Sequence, residues 1–132
     1  MIIELNTLSP EPLYEQLRNQ IVLGIAAKKL IPNETLPSVR RLAADLGINF
    51  HTVNKAYAML SEEGYIVMDR RKGAVIAPTI AGGGEFLAAL SHRLLLNAAE
   101  AVCHGMSESE FVALCAGCYQ NAIGNLKNGG TS

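Results

Sequence analysis

Two short helical periodicities meet at one glycine, and that junction constrains the chain more than any other feature. Val39, Leu42, Ala43 and Leu46 fall at i, i+3, i+4 and i+7, and after Gly47 the spacing returns in Val53, Ala56, Tyr57 and Leu60. Each set is the apolar stripe of one amphipathic helix. Leu36-Pro37-Ser38 opens the first helix, Gly47 stops it, and Asn49 is placed to cap the second. Two such helices joined by so short a turn read as a helix-turn-helix.

The flanks extend this unit on both sides. Ser9-Pro10-Glu11-Pro12 reads as a capped helix start, and Leu13, Leu17, Ile21 and Ile25 predict a helix running to about Leu30, with Pro32 ending it. After Gly64 the period changes. Tyr65-Ile66-Val67-Met68 and Ala74-Val75-Ile76-Ala77 flank Asp69-Arg70-Arg71-Lys72-Gly73, a hairpin with a basic tip. A hairpin directly after a helix-turn-helix is a wing.

Pro78 and Gly82-Gly83-Gly84 mark a flexible break, which sets a domain boundary near residue 80. Beyond it, a helix from about Glu85 to Cys103 carries Leu87, Leu90, Leu94 and Ala101 near heptad spacing, widened by Leu95 and Leu96. Ser107-Glu108-Ser109-Glu110 is a capping box for a second helix with Phe111, Leu114, Cys115, Cys118, Ala122 and Leu126 along one stripe. The end from Asn128 to Ser132 is polar and glycine-rich, and is expected to fray. The predicted fold is therefore mainly α with a small β wing: a winged helix-turn-helix domain over 1–80 and a two-helix dimerisation tail over 81–132. The tail holds more apolar surface than two helices can hide alone, so a homodimer centred on Leu87, Leu90 and Leu94 is expected.

Charge is divided along the chain. The whole carries a net charge of −1, which is not the strongly basic balance of many nucleic-acid binders. Residues 28–72, however, hold eight Lys and Arg against five Asp and Glu, whereas 81–132 hold two against four. The first half is the favoured binder of an anion. The N-terminus lacks the basic stretch and apolar core of a signal peptide, and no apolar run approaches the roughly 20 residues that span a bilayer. The expectation is a cytoplasmic protein without membrane contact, whose three cysteines are thiols.

With Val53, Ala56, Tyr57 and Leu60 buried, 100° per residue places His51, Asn54, Lys55, Ala58 and Glu62 on the opposite face. An exposed polar face is by default merely solvated. Here it follows a glycine turn, precedes a basic hairpin and lies beside Arg40 and Arg41. A recognition helix enters the DNA major groove with its N-terminal residues, so Asn54 is suited to a base edge and Lys55 or His51 to a base or phosphate. Phe50 and Thr52 sit at the shoulders, where an aromatic ring or a methyl meets a thymine methyl. Arg40 and the Arg70-Arg71-Lys72 tip suit phosphate.

Leu36-Pro37-Ser38-Val39-Arg40-Arg41-Leu42-Ala43, Gly47-Ile48-Asn49, Thr52-Val53-Asn54-Lys55-Ala56-Tyr57, Leu60 and Gly64-Tyr65-Ile66 together resemble the DNA-binding domain of GntR-type regulators, over about residues 10–77. The short helical tail resembles the YtrA-type branch. The resemblance implies a winged-helix homodimer on double-stranded DNA with two inverted half-sites, usually a repressor. By position it implies contacts from Arg40, Asn49, His51, Thr52, Asn54 and Gly73. The wing departs from the family's Gly-x-Gly-Thr, which appears here as Arg71-Lys72-Gly73-Ala74.

Rival readings are weaker. Cys115-Ala116-Gly117-Cys118, with Cys103-His104 in the other tail helix, offers soft ligands for a metal or redox sensor. Cysteines on an apolar stripe instead behave as small hydrophobes, and no metal is expected. No nucleophile with a base partner, phosphate loop or carboxylate pair supports an enzyme or a cofactor. A winged helix used only for protein contacts leaves the basic wing unexplained. The operator and any small-molecule effector are not legible.

Overall fold

The computed structural model describes residues 2–124. Leu126 and the polar stretch 128–132 lie outside the described residues. The chain divides after Ile80 into two compact units.

The first unit contains α1 (Leu13–Ala26), α2 (Val39–Leu46), α3 (Phe50–Glu62), β1 (Ile66–Asp69) and β2 (Gly73–Ile76). The stripes read from the sequence form its core. Leu17 and Ile21 of α1, and Val53, Ala56 and Leu60 of α3, are fully buried, and Leu42, Ile66 and Ile76 close the cluster. Because α3 contributes three fully buried side chains from one face, its opposite face is fixed toward solvent.

Several element boundaries differ from the sequence reading. Helix α1 ends at Ala26 rather than near Leu30, and Pro12 caps its start without a side-chain hydrogen bond. Ser9 Oγ accepts instead from the Glu11 amide ahead of the helix. At the other end Lys28 adopts φ +62°, and the amides of Lys29 and Leu30 both donate to the Gly24 carbonyl. This turn folds Leu30 back into the core. Gly24 gives it room, since a Cβ there would lie 3.0 Å from Leu30 Cδ1. The strands are shifted by one residue at β1, which takes in Asp69 and leaves out Tyr65, and at β2, which takes in Gly73 and leaves out Ala77.

The wing also has a third member. Thr35 bridges Val75, the Leu36 amide donates to the Ala74 carbonyl, and the Ile76 amide donates to the Glu34 carbonyl. β2 is thus paired on both sides, with β1 in antiparallel register from Ile66↔Ile76 to Asp69↔Gly73. The N-terminal segment is held by side-chain amides of α1: Gln16 accepts from the Asn6 amide and donates to the Asn6 and Glu11 carbonyls. Gln20 makes the same two-way pair with Glu4. Ile3 and Leu5 pack on the core.

Tyr57 ties α3 to the start of α2. Its hydroxyl donates to the Pro37 carbonyl at 2.7 Å, and burial pushes its pKa up to about 12. An unfolded tyrosine ionises near pH ~10, so between there and the folded value the unfolded chain binds fewer protons and stability falls as pH rises. Tyr57→Phe should lose that part of the alkaline dependence and, by leaving the Pro37 carbonyl unpaired, cost about 1–3 kcal/mol at neutral pH. Melting curves of both proteins on either side of pH ~10 test this. Parallel alkaline slopes would exclude Tyr57 as the titrating group.

The second unit contains α4 (Gly84–Cys103) and α5 (Glu108–Ala122). The capping box forms, with Ser107 Oγ accepting from the Glu110 amide and the Ser107 amide donating to Glu110 Oε1. Hydrogen bonding from Ser107, its backbone amide first and its hydroxyl second, holds the Glu110 carboxyl below its ordinary pKa. Neither helix has a buried residue. Cys103, Cys115 and Cys118 are exposed, which corrects the reading of Cys115 and Cys118 as packed core thiols. Leu114 on the same stripe is exposed as well, while Phe111 and Ala122 are half-buried.

Helix α4 also corrects the reading that no stretch approaches bilayer length. By length and composition alone it is long and apolar enough to cross a membrane. Its leucines and alanines raise the average without forming an uninterrupted run. Arg93, at the middle of the helix, would cost about 2.5–3.5 kcal/mol at a bilayer centre, and His92 lies beside it. The leucines are better matched to another helix than to lipid.

Candidate nucleic-acid interface

The interface is assembled by the turn between α2 and α3. Ser38 caps α2, its hydroxyl accepting from the Arg41 amide at 3.1 Å. Gly47 ends the helix at φ +67°, a left-handed conformation that a Cβ would strain. Two residues later Asn49 caps α3, with Oδ1 accepting from the His51 amide at 2.7 Å. The start of α3 is thereby presented at the surface, and its unpaired amides and positive dipole end favour an anion there.

His51, Asn54, Lys55, Ala58 and Glu62 are all exposed, as the helical period requires, while Thr52 is half-buried. The cations differ in how they are held. Arg41 forms an exposed ion pair with Asp45, Nε to Oδ2 3.5 Å. Arg40 has no carboxylate partner among the described residues, and its guanidinium lies over the Phe50 ring, 5.7 Å from the centroid. Phe50 also meets the His51 ring edge-on, with centroids 5.7 Å apart. The Lys55 ammonium sits 4.0 Å from the centroid of Tyr14 on α1.

The wing tip is organised by an acid. Asp69 Oδ1 accepts from the amides of Arg71 (2.7 Å) and Lys72 (2.9 Å). These two bonds, the Lys72 amide first, hold its carboxyl below the usual aspartate pKa. The turn then closes at Gly73 with φ +80°. Arg70, Arg71 and Lys72 are all exposed on it. The structure thus brings Arg40, Phe50 and His51 together, and gathers Arg70, Arg71, Lys72 and Gly73 in one turn. Asn49 is engaged as a cap. Sequence reasoning missed Tyr14, the seat of Lys55, and Asp69, the organiser of the tip. The Asp-x-x-Lys-Gly order at a hairpin was a local signal for the second. Nothing in the sequence signals the first, because Tyr14 and Lys55 meet only through the packing of α1 on α3.

Among the described residues no group of three or more His, Cys, Asp or Glu side chains is placed to hold a metal ion. Cys103, His104, Cys115 and Cys118 are not assembled.

Comparison with known proteins places this architecture. The HTH-type transcriptional regulator Rv1152 of Mycobacterium tuberculosis is 39% identical over 67 residues, covering 51% of this chain and 55% of that protein. The chain spans about half the length of the curated relatives it matches. A transcriptional antiterminator from Listeria monocytogenes superimposes with TM-score 0.88 at 28% identity, covering 94% of both chains. YtrA from Sulfolobus acidocaldarius, a GntR-family transcription factor, is 37% identical with TM-score 0.59, covering 73% of this chain and 99% of that one. The model for bacterial regulatory proteins of the gntR family matches residues 11–76, the span from the approach to α1 to the end of β2. With that match covering the capped turn, α3 and the wing, and with YtrA matched along nearly its whole length, the chain belongs to the gntR family of bacterial regulatory proteins, in its YtrA-type branch.

Proposed function

We propose that this protein is a sequence-specific DNA-binding transcription regulator of the cytoplasm, a repressor that binds an inverted-repeat operator as a homodimer. Residues 1–80 bind the DNA and 81–132 hold the two copies together. The observation that carries this reading is the exposed face of α3, flanked by Arg40, which has no carboxylate partner among the described residues, and lying in one unit with a wing whose tip bears three cations. The names of the relatives as transcription regulators support it. No enzymatic family is among those matches.

Asn54 reads a base edge, with His51 and Thr52 beside it. Arg40, Arg41, Lys55, Arg70, Arg71 and Lys72 provide positive charge for phosphates, and Gly73 lets the wing backbone approach. Asn49 and Phe50 shape the entry to the groove. In a symmetric dimer the two recognition helices reach major grooves with half-site centres about 10 bp apart.

The roles of Arg40 and Asn54 separate experimentally. Arg40→Ala should weaken binding to an operator selected from a random pool and to unselected duplex alike. It should also flatten the log–log salt dependence by about 0.9 for each phosphate that is no longer neutralised. Asn54→Ala should cost about 1–3 kcal/mol on the operator and much less on unselected DNA, since a base-edge hydrogen bond is made only with the correct base. Parallel titrations at several salt concentrations measure both. Unchanged affinities for Arg40→Ala would remove it from the docking face; equal losses on both DNAs for Asn54→Ala would remove its reading role.

A further inference from the structure

Phe50 is the first residue of α3, and it is 41% exposed. An exposed ring at the tip of a helix that addresses an anion is a poor match for phosphate. The structure gives it a neighbour: the guanidinium of Arg40, reaching from α2 across the Gly47 turn. A guanidinium presents its face to an aromatic ring and keeps its five N–H donors in the plane, so stacking leaves those donors free. The adjacent Arg41 contrasts with it, because Asp45 engages its Nε edge. Beside this pair lies an open concavity of about 490 Å³, lined by Arg40, Ala43, Ala44, Gly47, Ile48 and Phe50. It leaves room for a phosphodiester against the guanidinium.

We infer that Phe50 is a positioning residue for Arg40, its ring holding the guanidinium with the N–H edge turned to a DNA backbone phosphate. This rests on the DNA-binding reading above and adds a role that acts through Arg40 rather than through a base. A long arginine side chain loses rotamer freedom when it binds; a ring that restricts it beforehand reduces that loss. The contribution is independent of DNA sequence. A thymine-methyl contact by the same ring would appear on the operator alone.

The test is a double-mutant cycle on the full chain with Arg40→Ala, Phe50→Leu and the double variant, titrated against selected operator and unselected duplex over a range of salt. Phe50 is exposed, so the substitution should fold normally; melting curves check this. Phe50→Leu should weaken both DNAs by the same factor, about 2–5-fold, the worth of an exposed cation–π contact. In the Arg40→Ala background it should cost nothing further. Although it removes no charge, it should move the salt slope toward the Arg40→Ala value, which a merely structural role would not do. Phe50→Tyr, which keeps the ring, should restore binding. Additive losses, an unchanged slope or a loss confined to the operator would each overturn the inference while leaving DNA binding intact. Absence of any wild-type binding would overturn the DNA reading itself.

Discussion

Leu60→Ala should lower the unfolding free energy of the first unit by about 2–5 kcal/mol, the cost of deleting a fully buried leucine and leaving a cavity. Leu60 has no exposed surface and lies in the cluster that joins Leu17 and Ile21 of α1 to Val53 of α3 and Ile66 of β1. For a domain whose whole stability is of order 5–15 kcal/mol, this is a large share. The melting temperature should fall by about 4–8 °C for each kcal/mol of destabilisation. The same helix builds the core and displays the recognition face, so DNA affinity should fall with temperature as the fold does, on operator and unselected duplex together. Leu60→Met, which keeps the volume, should cost less than about 1.5 kcal/mol. Thermal and urea unfolding of the three proteins decide it. A loss for Leu60→Ala no larger than for Leu60→Met would mean that the site collapses without strain and that α3 is not anchored there.

What the sequence made legible follows from where its signals are local. Ser38, Gly47 and Asn49 announce the turn because a hydroxyl, a missing Cβ and a short amide each satisfy a specific backbone need, and each is used as read. The buried and exposed faces of α3 follow from the helical period alone. The end of α1 escaped because its left-handed residue is Lys28 rather than glycine, leaving Pro32 as the nearest visible stop. The third wing member escaped because residues 33–36 show no alternation; their pairing is imposed by the free edge of β2. Buried Gln16 carried a signal that went unused, since a glutamine on the inner face of a helix needs partners, and the Asn6 and Glu11 backbone supplies them. In the candidate site, side-chain types were legible but their pairings were not. Arg40 with Phe50 and Lys55 with Tyr14 depend on how three helices pack.

The tail sets the second large expectation, that Leu94→Glu and Leu90→Glu convert a dimer to monomers and cost DNA affinity by about 10²-fold or more. In a single chain α4 and α5 bury no residue. Leu94 is 43% exposed, and Leu87, Leu95 and Leu96 more so. Fully burying one such side chain is worth about 1.5–3 kcal/mol, and contiguous apolar patches of this kind mark association surfaces. Leu87, Leu90 and Leu94 recur at three- and four-residue steps, the spacing of a helix–helix seam. On the proposed reading, a second copy of the same helix supplies the matching face under two-fold symmetry. The consequence for DNA comes from linkage: once one half-site is bound, the second recognition helix is present at high effective concentration, a gain of about 10²–10⁴ without new contacts. A glutamate in the seam removes that gain and leaves each monomer's own DNA-binding face intact. Sedimentation should therefore show a dimer at micromolar concentration for wild type and a monomer for either variant. Affinity should fall steeply on the inverted repeat and hardly at all on a single half-site. A wild-type monomer, or a dimer that survives both substitutions, would place the association surface elsewhere. Equal losses on the half-site and the repeat would mean that the substitution had damaged the DNA-binding unit rather than the link between two copies.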